Sequence, residues 1–217
     1  MTPGLWDLVL RGAWTTIQLL VLSGLLMTAV ALVVGVARTS RHWSVRFLAG
    51  LYTEVFRGTS ALVMIFWVFF VLPVALGWQL VPLWAGTLAL GLTYGAYGAE
   101  IVRGALGAVD PAQREGGVAL GFTPGQRLRL ILLPQAVPEM IPSYCNLLVE
   151  LLKGTALVSV TGMGDLAFSG NLVRLALQES AHIYTYLLVV YFVIAFVITR
   201  LMRGLERRLK AGLGGVA

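Results

Sequence analysis

The chain has 217 residues, of which 58% are hydrophobic and 12% charged, with a mean hydropathy of +0.85. A soluble domain would carry roughly twice that charged share, so the long apolar runs are membrane spans and a soluble globular fold is excluded. The formal net charge of +6 then belongs to cytoplasmic loops of a membrane protein, not to a nucleic-acid-binding face.

The N-terminus, MTPGLWDLVL, lacks the basic region of a cleavable signal peptide. The first span, residues 14–36, is therefore expected to stay in the mature protein. It is long enough to cross the hydrocarbon with some tilt. The second span, 61–76, is shorter, and LYTEVFRGTS before it is expected to supply an interfacial first turn. The third span, 80–102, is interrupted only near its end, by Glu100. Glu100 and Arg103 are three apart and share a helix face. They form either a structural ion pair at the membrane boundary or a gate or brace for the loop that follows.

That loop is polar, basic and glycine-rich: REGGVALGFTPGQRLRLILLP, residues 114–134. Asp110-Pro111 is a helix-start signal, a capping residue followed by proline at the first helical position. The helix should run from 111 to about 120, with Gly121 placed to end it in a left-handed conformation. Thr123-Pro124 starts a second helix that leads into the membrane. The result is an angled lever under the bilayer, where a mere connection could be far shorter.

The fourth span, 131–152, carries Pro134, Pro138 and Pro142, four residues apart. Each removes a backbone hydrogen bond, which predicts a bend in the cytoplasmic half of this span. Such a bend suits rocking, though prolines also make static kinks. Asn146, Glu150 and Lys153 fall on one face at four- and three-residue spacing. Ionisable groups inside a span normally face the bundle interior or a water-filled path. The alternatives are helix–helix hydrogen bonding and snorkelling of Lys153. Cys145 is the lone cysteine, so no intramolecular disulfide can form. Residues 153–180 hold apolar pieces too short to cross and are expected to be interfacial or re-entrant. The fifth span, 183–202, ends in RGLERRLK. The aromatics of IFWVFF suit lipid or partner packing. His42 and His182 are isolated, and no spacing suggests a metal.

Lys and Arg set the orientation. The first loop (Arg38, Arg41, Arg46), the middle loop (Arg103, Arg114, Arg127, Arg129) and the tail (Arg200, Arg203, Arg207, Arg208, Lys210) alternate so as to share one side. Arg11, Lys153 and Arg174 fall on the other. Twelve against three places the tail and the middle loop in the cytoplasm and the N-terminus outside.

Glu115-Gly116-Gly117, Gly121, and then Ile131-Leu132-Leu133-Pro134 match the spacing EAA-x3-G-x9-I-x-L-P. This resembles the signature of the membrane subunits of ABC importers. EVFRGTSALV (54–63), GAYGAEIVRGAL (95–106), ILLPQAVPEMIPSYCN (131–146) and LLKGTALVSV (151–160) look like the polar-amino-acid branch. The combination EVFRGTSALVMIFWVFFVLP with NLLVELLKGTALVSVTGMGDLAF is most similar to ectoine and hydroxyectoine permeases.

The resemblance implies an all-α, polytopic protein of five transmembrane helices with the type I ABC importer permease fold. The whole of 1–217 would be one permease domain, with a coupling loop at about 104–130. Glu115, Gly116, Gly117, Leu120, Gly121 and Phe122 would dock on an ATPase subunit. It further implies two ATPase subunits, an external solute-binding protein, and a second homologous permease, with a heterodimer favoured and a homodimer the alternative. The location would be the bacterial inner membrane. The cargo would be ectoine or hydroxyectoine, whose delocalised cation Glu150 and Asn146 could meet; the alternative is a polar amino acid such as glutamine, glutamate, arginine or histidine. No cofactor is expected on this chain. ATP and Mg belong on the partner ATPase, because no GxxxxGK[ST] loop occurs here. A membrane enzyme would need a nucleophile with a base, or HExxH, and neither pattern is present; a non-transporting scaffold is the other class.

The family usually has two alanines where this chain has Gly116 and Gly117. Each interior glycine costs about 1 kcal/mol relative to alanine. The docking helix is then either weak and ordered by its partner, or built for closer approach to the ATPase surface.

Overall fold

The computed structural model describes residues 3–77 and 80–213, and every regular element among them is helical. The outermost positions of the expected 1–217 domain therefore lie outside the described residues. Helix α1 spans Pro3–Ala37, longer at both ends than the apolar run alone. Helix α2 (Trp43–Gly58) and α3 (Ala61–Phe66) follow, then a π turn at Trp67–Val71 and α4 (Leu72–Leu76). Helix α5 is Pro82–Ala108, α6 Pro111–Ala119 and α7 Pro124–Arg127. A second π turn at Leu128–Leu132 leads into α8 (Leu133–Thr155). A 3-10 turn at Ala156–Thr161 precedes α9 (Leu166–Leu177), and α10 is Ser180–Leu213.

One expectation is corrected. The stretch before residue 61 is not an interfacial first turn but a 16-residue helix, and the chain bends by 103° between α2 and α3. Thr59 and Ser60 are extended there, with ψ of 141° and 134°, and Gly58 just before them is a weak helix former. Helix α8 continues through Pro138 and Pro142 without a break in its helical assignment, and a turn of 55° comes after Thr161, where Gly162 is left-handed. Proline also acts earlier in the chain. Both π turns stand directly before a Leu-Pro pair, and Leu72 and Leu133 donate back five residues, to Trp67 and Leu128. Widening the helix by one residue gives the rings of Pro73 and Pro134 room that a regular turn would deny.

Of the five expected spans, two to four stand by length and apolarity alone. By length and apolarity α1 and α10 each suffice to cross a membrane, and the total reaches four if each bent pair is one span. Helix α5 is absent from that set for a physical reason. It has 27 residues, about 40 Å, but is rich in Gly, Ala and Thr, and those residues are its buried ones: Ala85, Gly86, Thr87, Ala89, Gly91, Thr93, Gly95, Ala96, Gly98 and Ala99. It is the central helix of the bundle and needs little lipid-facing surface.

Small residues let α1 and α5 approach closely, as membrane helices without a hydrophobic drive require. A Cβ on Gly91 would stand 2.6 Å from Leu26, one on Gly98 2.7 Å from Ala31, and one on Gly35 2.6 Å from Val102. The main core joins α1, α5 and α8 through Leu19, Met27, Leu90 and Leu151. At the far end of α1, α9 docks through Val9, Leu166 and Val173. There Asp165 caps α9 by accepting from Phe168 N and Ala167 N at 3.0 and 3.3 Å, and Leu166 N donates to Thr16 Oγ1 at 3.0 Å. Within the 153–180 segment, α9 is thus held against α1.

Candidate functional site: the loop elbow and the polar face of α8

Asp110 accepts from Ala112 N at 2.8 Å and starts α6. The helix ends in a paired set of reverse bonds: Gly121 N to Val118 O at 2.9 Å and Phe122 N to Gly117 O at 3.0 Å. That pattern needs a left-handed residue at its centre, and Gly121 has φ of 73°. Two residues on, Thr123 and Gln126 form a reciprocal capping box, with Thr123 N donating to Gln126 Oε1 at 2.8 Å and Gln126 N to Thr123 Oγ1 at 3.4 Å. The elbow between α6 and α7 is therefore fixed by backbone bonds on the α6 side and by side-chain-to-backbone bonds on the α7 side. Leu120 is 72% exposed at its tip, with Val118 and Glu115 also exposed and Phe122 half-buried.

The two glycines have different roles in packing. A Cβ on Gly116 would meet nothing within 4 Å, whereas one on Gly117 would stand 2.8 Å from Ile131 Cδ1 and 2.9 Å from Arg127 Cγ. Gly117 is buried against the next helix of its own chain. Its missing side chain closes the elbow, a reason that neither sequence-based explanation contained. Gly116→Ala is expected to stabilise α6 by up to about 1 kcal/mol. Gly117→Ala is expected to give no gain, because overpacking of about 1–3 kcal/mol offsets it. Hydrogen exchange of residues 111–120 in the purified protein should slow in the first variant and not in the second.

Above the elbow, Arg103 holds Glu100 through Nε and Nη2, both to Oε2, at 2.9 and 2.8 Å. The sequence missed a third member: Arg38 Nη1 lies 3.2 Å from Glu100 Oε1 and also donates to Thr53 Oγ1. This cluster ties the end of α1 to α2 and α5. Arg114 donates to Leu106 O, which ties α6 to the end of α5. Pro134 and Pro142 are exposed and Pro138 is buried, so the three do not share one environment.

On α8, Asn146, Glu150 and Lys153 are all exposed, while Leu147, Leu151, Leu152 and Gly154 beside them are buried. Glu139 and Ser143 continue the exposed stripe at the same three- and four-residue spacing, a signal the sequence carried and the reading of it stopped short of. A cation–π pair lies on the neighbouring elements: the Arg57 guanidinium sits 5.6 Å from the Tyr97 ring centre, and Tyr97 Oη donates to Arg57 O at 3.2 Å. The loop residues and the α8 stripe are two separate sites.

Residues 27–211 match the model of the binding-protein-dependent transport system inner membrane component family. The chain belongs to that family. This permease is 45% identical to a probable amino-acid ABC transporter permease of Sinorhizobium fredii, over 90% of this chain and 84% of that one. It is 34% identical to an arginine transport system permease of Bacillus subtilis, over 94% and 93%. The crystal structure of an amino acid ABC transporter with histidines superposes with a TM-score of 0.84, at 29% identity, over 93% of this permease and 94% of that chain. It is thus the permease subunit of an ABC importer of the inner membrane, with the type I permease fold. It is a transport subunit and not an enzyme, and ATP hydrolysis belongs to a separate chain. An ATPase and a binding protein are the partners this fold implies. The ectoine assignment is not carried by these relatives, which point to amino acids.

Proposed function

We propose that this permease imports a polar α-amino acid, cationic or neutral, handed over by an external binding protein. The observation that carries the proposal is the exposed stripe Asn146, Glu150, Lys153 on a span whose buried face is mostly apolar. A carboxylate and an ammonium three residues apart complement the ammonium and carboxylate that every α-amino acid carries. Neither charge would be left open to lipid, so a second permease must cover the stripe and enclose a wet path between the two. The pair of permeases is a heterodimer or a homodimer. ATP closes two ATPase subunits, their motion moves the two loop elbows, and the spans switch between inward- and outward-facing. Helix α5 serves as the fifth span, hidden among the other four.

Glu150→Gln is expected to lower uptake of a cationic or zwitterionic cargo at least several-fold while leaving binding-protein affinity unchanged. Cells expressing the full set of subunits should be given labelled arginine, glutamine, histidine and ectoine. Uptake of an amino acid without ectoine is the expected outcome, and uptake of ectoine alone would overturn the cargo proposal. Unchanged transport in Glu150→Gln would reduce that residue to helix packing. For topology, reporter fusions after residue 217 and within 40–44 should both report cytoplasm. A periplasmic signal from either would refute five spans with an external N-terminus.

A further inference from the structure

A recess of about 680 Å³, separate from the α8 stripe, lies where the ends of α1 and α5 meet the elbow loop. Four arginines line it: Arg38, Arg103, Arg114 and Arg127. The only carboxylate bonded to any of them among the described residues is Glu100, shared by Arg38 and Arg103. Arg114 is bonded to a neutral carbonyl, and Arg127 Nε is buried with no hydrogen-bond partner among the described residues. Three net positive charges thus converge on one recess. Arg103 and Arg114 are exposed and Arg38 and Arg127 half-buried, and like charges gathered in one concave site attract an anion. Guanidinium forks fit a phosphate in particular.

We propose that the recess binds the phosphate of an anionic phospholipid from the cytoplasmic leaflet. Apart from Thr39 and Ser40 the remaining wall is apolar, with Val36, Val45 and Leu132 among its residues, which suits a phosphate attached to glycerol and acyl chains rather than a free ion. Val45 continues onto the exposed apolar residues Phe47, Leu48 and Leu51 of α2. Basic pockets between helices on the cytoplasmic side are the common form of lipid-headgroup sites. Two of the arginines belong to the elbow itself, and the stem of Arg127 is what closes on Gly117. A bound headgroup would therefore set the angle of the lever as well as neutralise the recess. The proposal rests on the orientation given above, but not on the cargo.

The test uses the full chain, purified in detergent with its partner subunits and titrated by native mass spectrometry. The probes are phosphatidylglycerol, phosphatidylcholine and inorganic phosphate. Saturable retention of phosphatidylglycerol over phosphatidylcholine is expected, with inorganic phosphate failing to displace it. Arg114→Gln with Arg127→Gln should weaken retention roughly thirtyfold, two charges at about 1 kcal/mol each. The corresponding double lysine variant should keep most of it. Equal retention of the two lipids, or unchanged retention in the glutamine variant, overturns the proposal. Displacement by inorganic phosphate would assign the recess to a soluble anion. Loss of the ATPase subunit with lipid retention intact would assign it to a partner's carboxylates; both results also overturn the proposal. If the glutamine variant fails to fold, the two lipids and the phosphate competition on the unmodified protein still decide. Uptake plays no part in this readout, so failure of the cargo assay leaves it unaffected.

Discussion

Replacing Gly121 with valine is expected to abolish uptake while leaving the permease inserted in the membrane. The effect is conformational. A Cβ at this position would meet nothing within 4 Å, so no clash is involved. The backbone, however, sits at φ of 73°, where an L residue costs about 1–2 kcal/mol and a β-branched one more. Paying that cost is avoidable only by leaving the left-handed region, which breaks the Gly121 N–Val118 O and Phe122 N–Gly117 O bonds. Helix α6 would then leave α7 at another angle and carry Leu120 and Glu115 away from the ATPase surface. Co-purification of the ATPase should fall together with uptake. Gly121→Asn is the control, because asparagine tolerates this conformation, and it should keep most of the activity. Normal transport by Gly121→Val would end the lever account.

The second large effect is expected at Gly35. A Cβ there would stand 2.6 Å from Val102 Cβ and 2.8 Å from the carbonyl oxygen of Ala99. One of those contacts is backbone, so no rotamer change relieves it. Gly35→Leu should therefore separate α1 from α5 at the end that carries the Arg38–Glu100–Arg103 cluster. Overpacking costs typically about 1–3 kcal/mol, and a fixed backbone neighbour puts this case at the upper end or beyond. The expected readout is a strong drop in recovered folded protein and a lowered melting temperature. Gly104→Ala, where a Cβ meets nothing within 4 Å, should show neither. Equal recovery of both variants would mean that the close seam is not what holds α1 to α5.

The elbow was legible in the sequence because its signals are local. Asp110-Pro111, Gly121 and Thr123-Pro124 each act through their own backbone, so a residue's identity nearly determines its conformation. The stripe on α8 was legible from spacing, since the helical period places Asn146, Glu150 and Lys153 together whatever the surroundings. What stayed hidden depends on partners distant in the chain. Arg38 reaches Glu100 across more than sixty positions, and nothing near residue 38 announces it. The reason for Gly117 lies in Ile131 and Arg127. Helix α5 reads as an ordinary span, yet its Gly, Ala and Thr content reflects burial among helices more than contact with lipid. The separate helix α2 was missed because Thr59-Ser60 is only a weak break, and the turn of the chain there is set by what α2 packs on. Cargo is hardest of all, since under the proposed function it turns on side chains of a path completed by a second subunit.

The most direct test of the central claim, that the elbow couples this permease to its ATPase, is cross-linking from Leu120→Cys. Leu120 is exposed at the elbow tip and the native Cys145 is buried, so the introduced thiol is the reactive one. In the transport-competent complex, a short bifunctional thiol-reactive reagent should capture the ATPase subunit in high yield, and the yield should change when ATP is added. The account predicts that Gly121→Val in the same background removes the capture. Capture of no ATPase from a complex that still transports would contradict it.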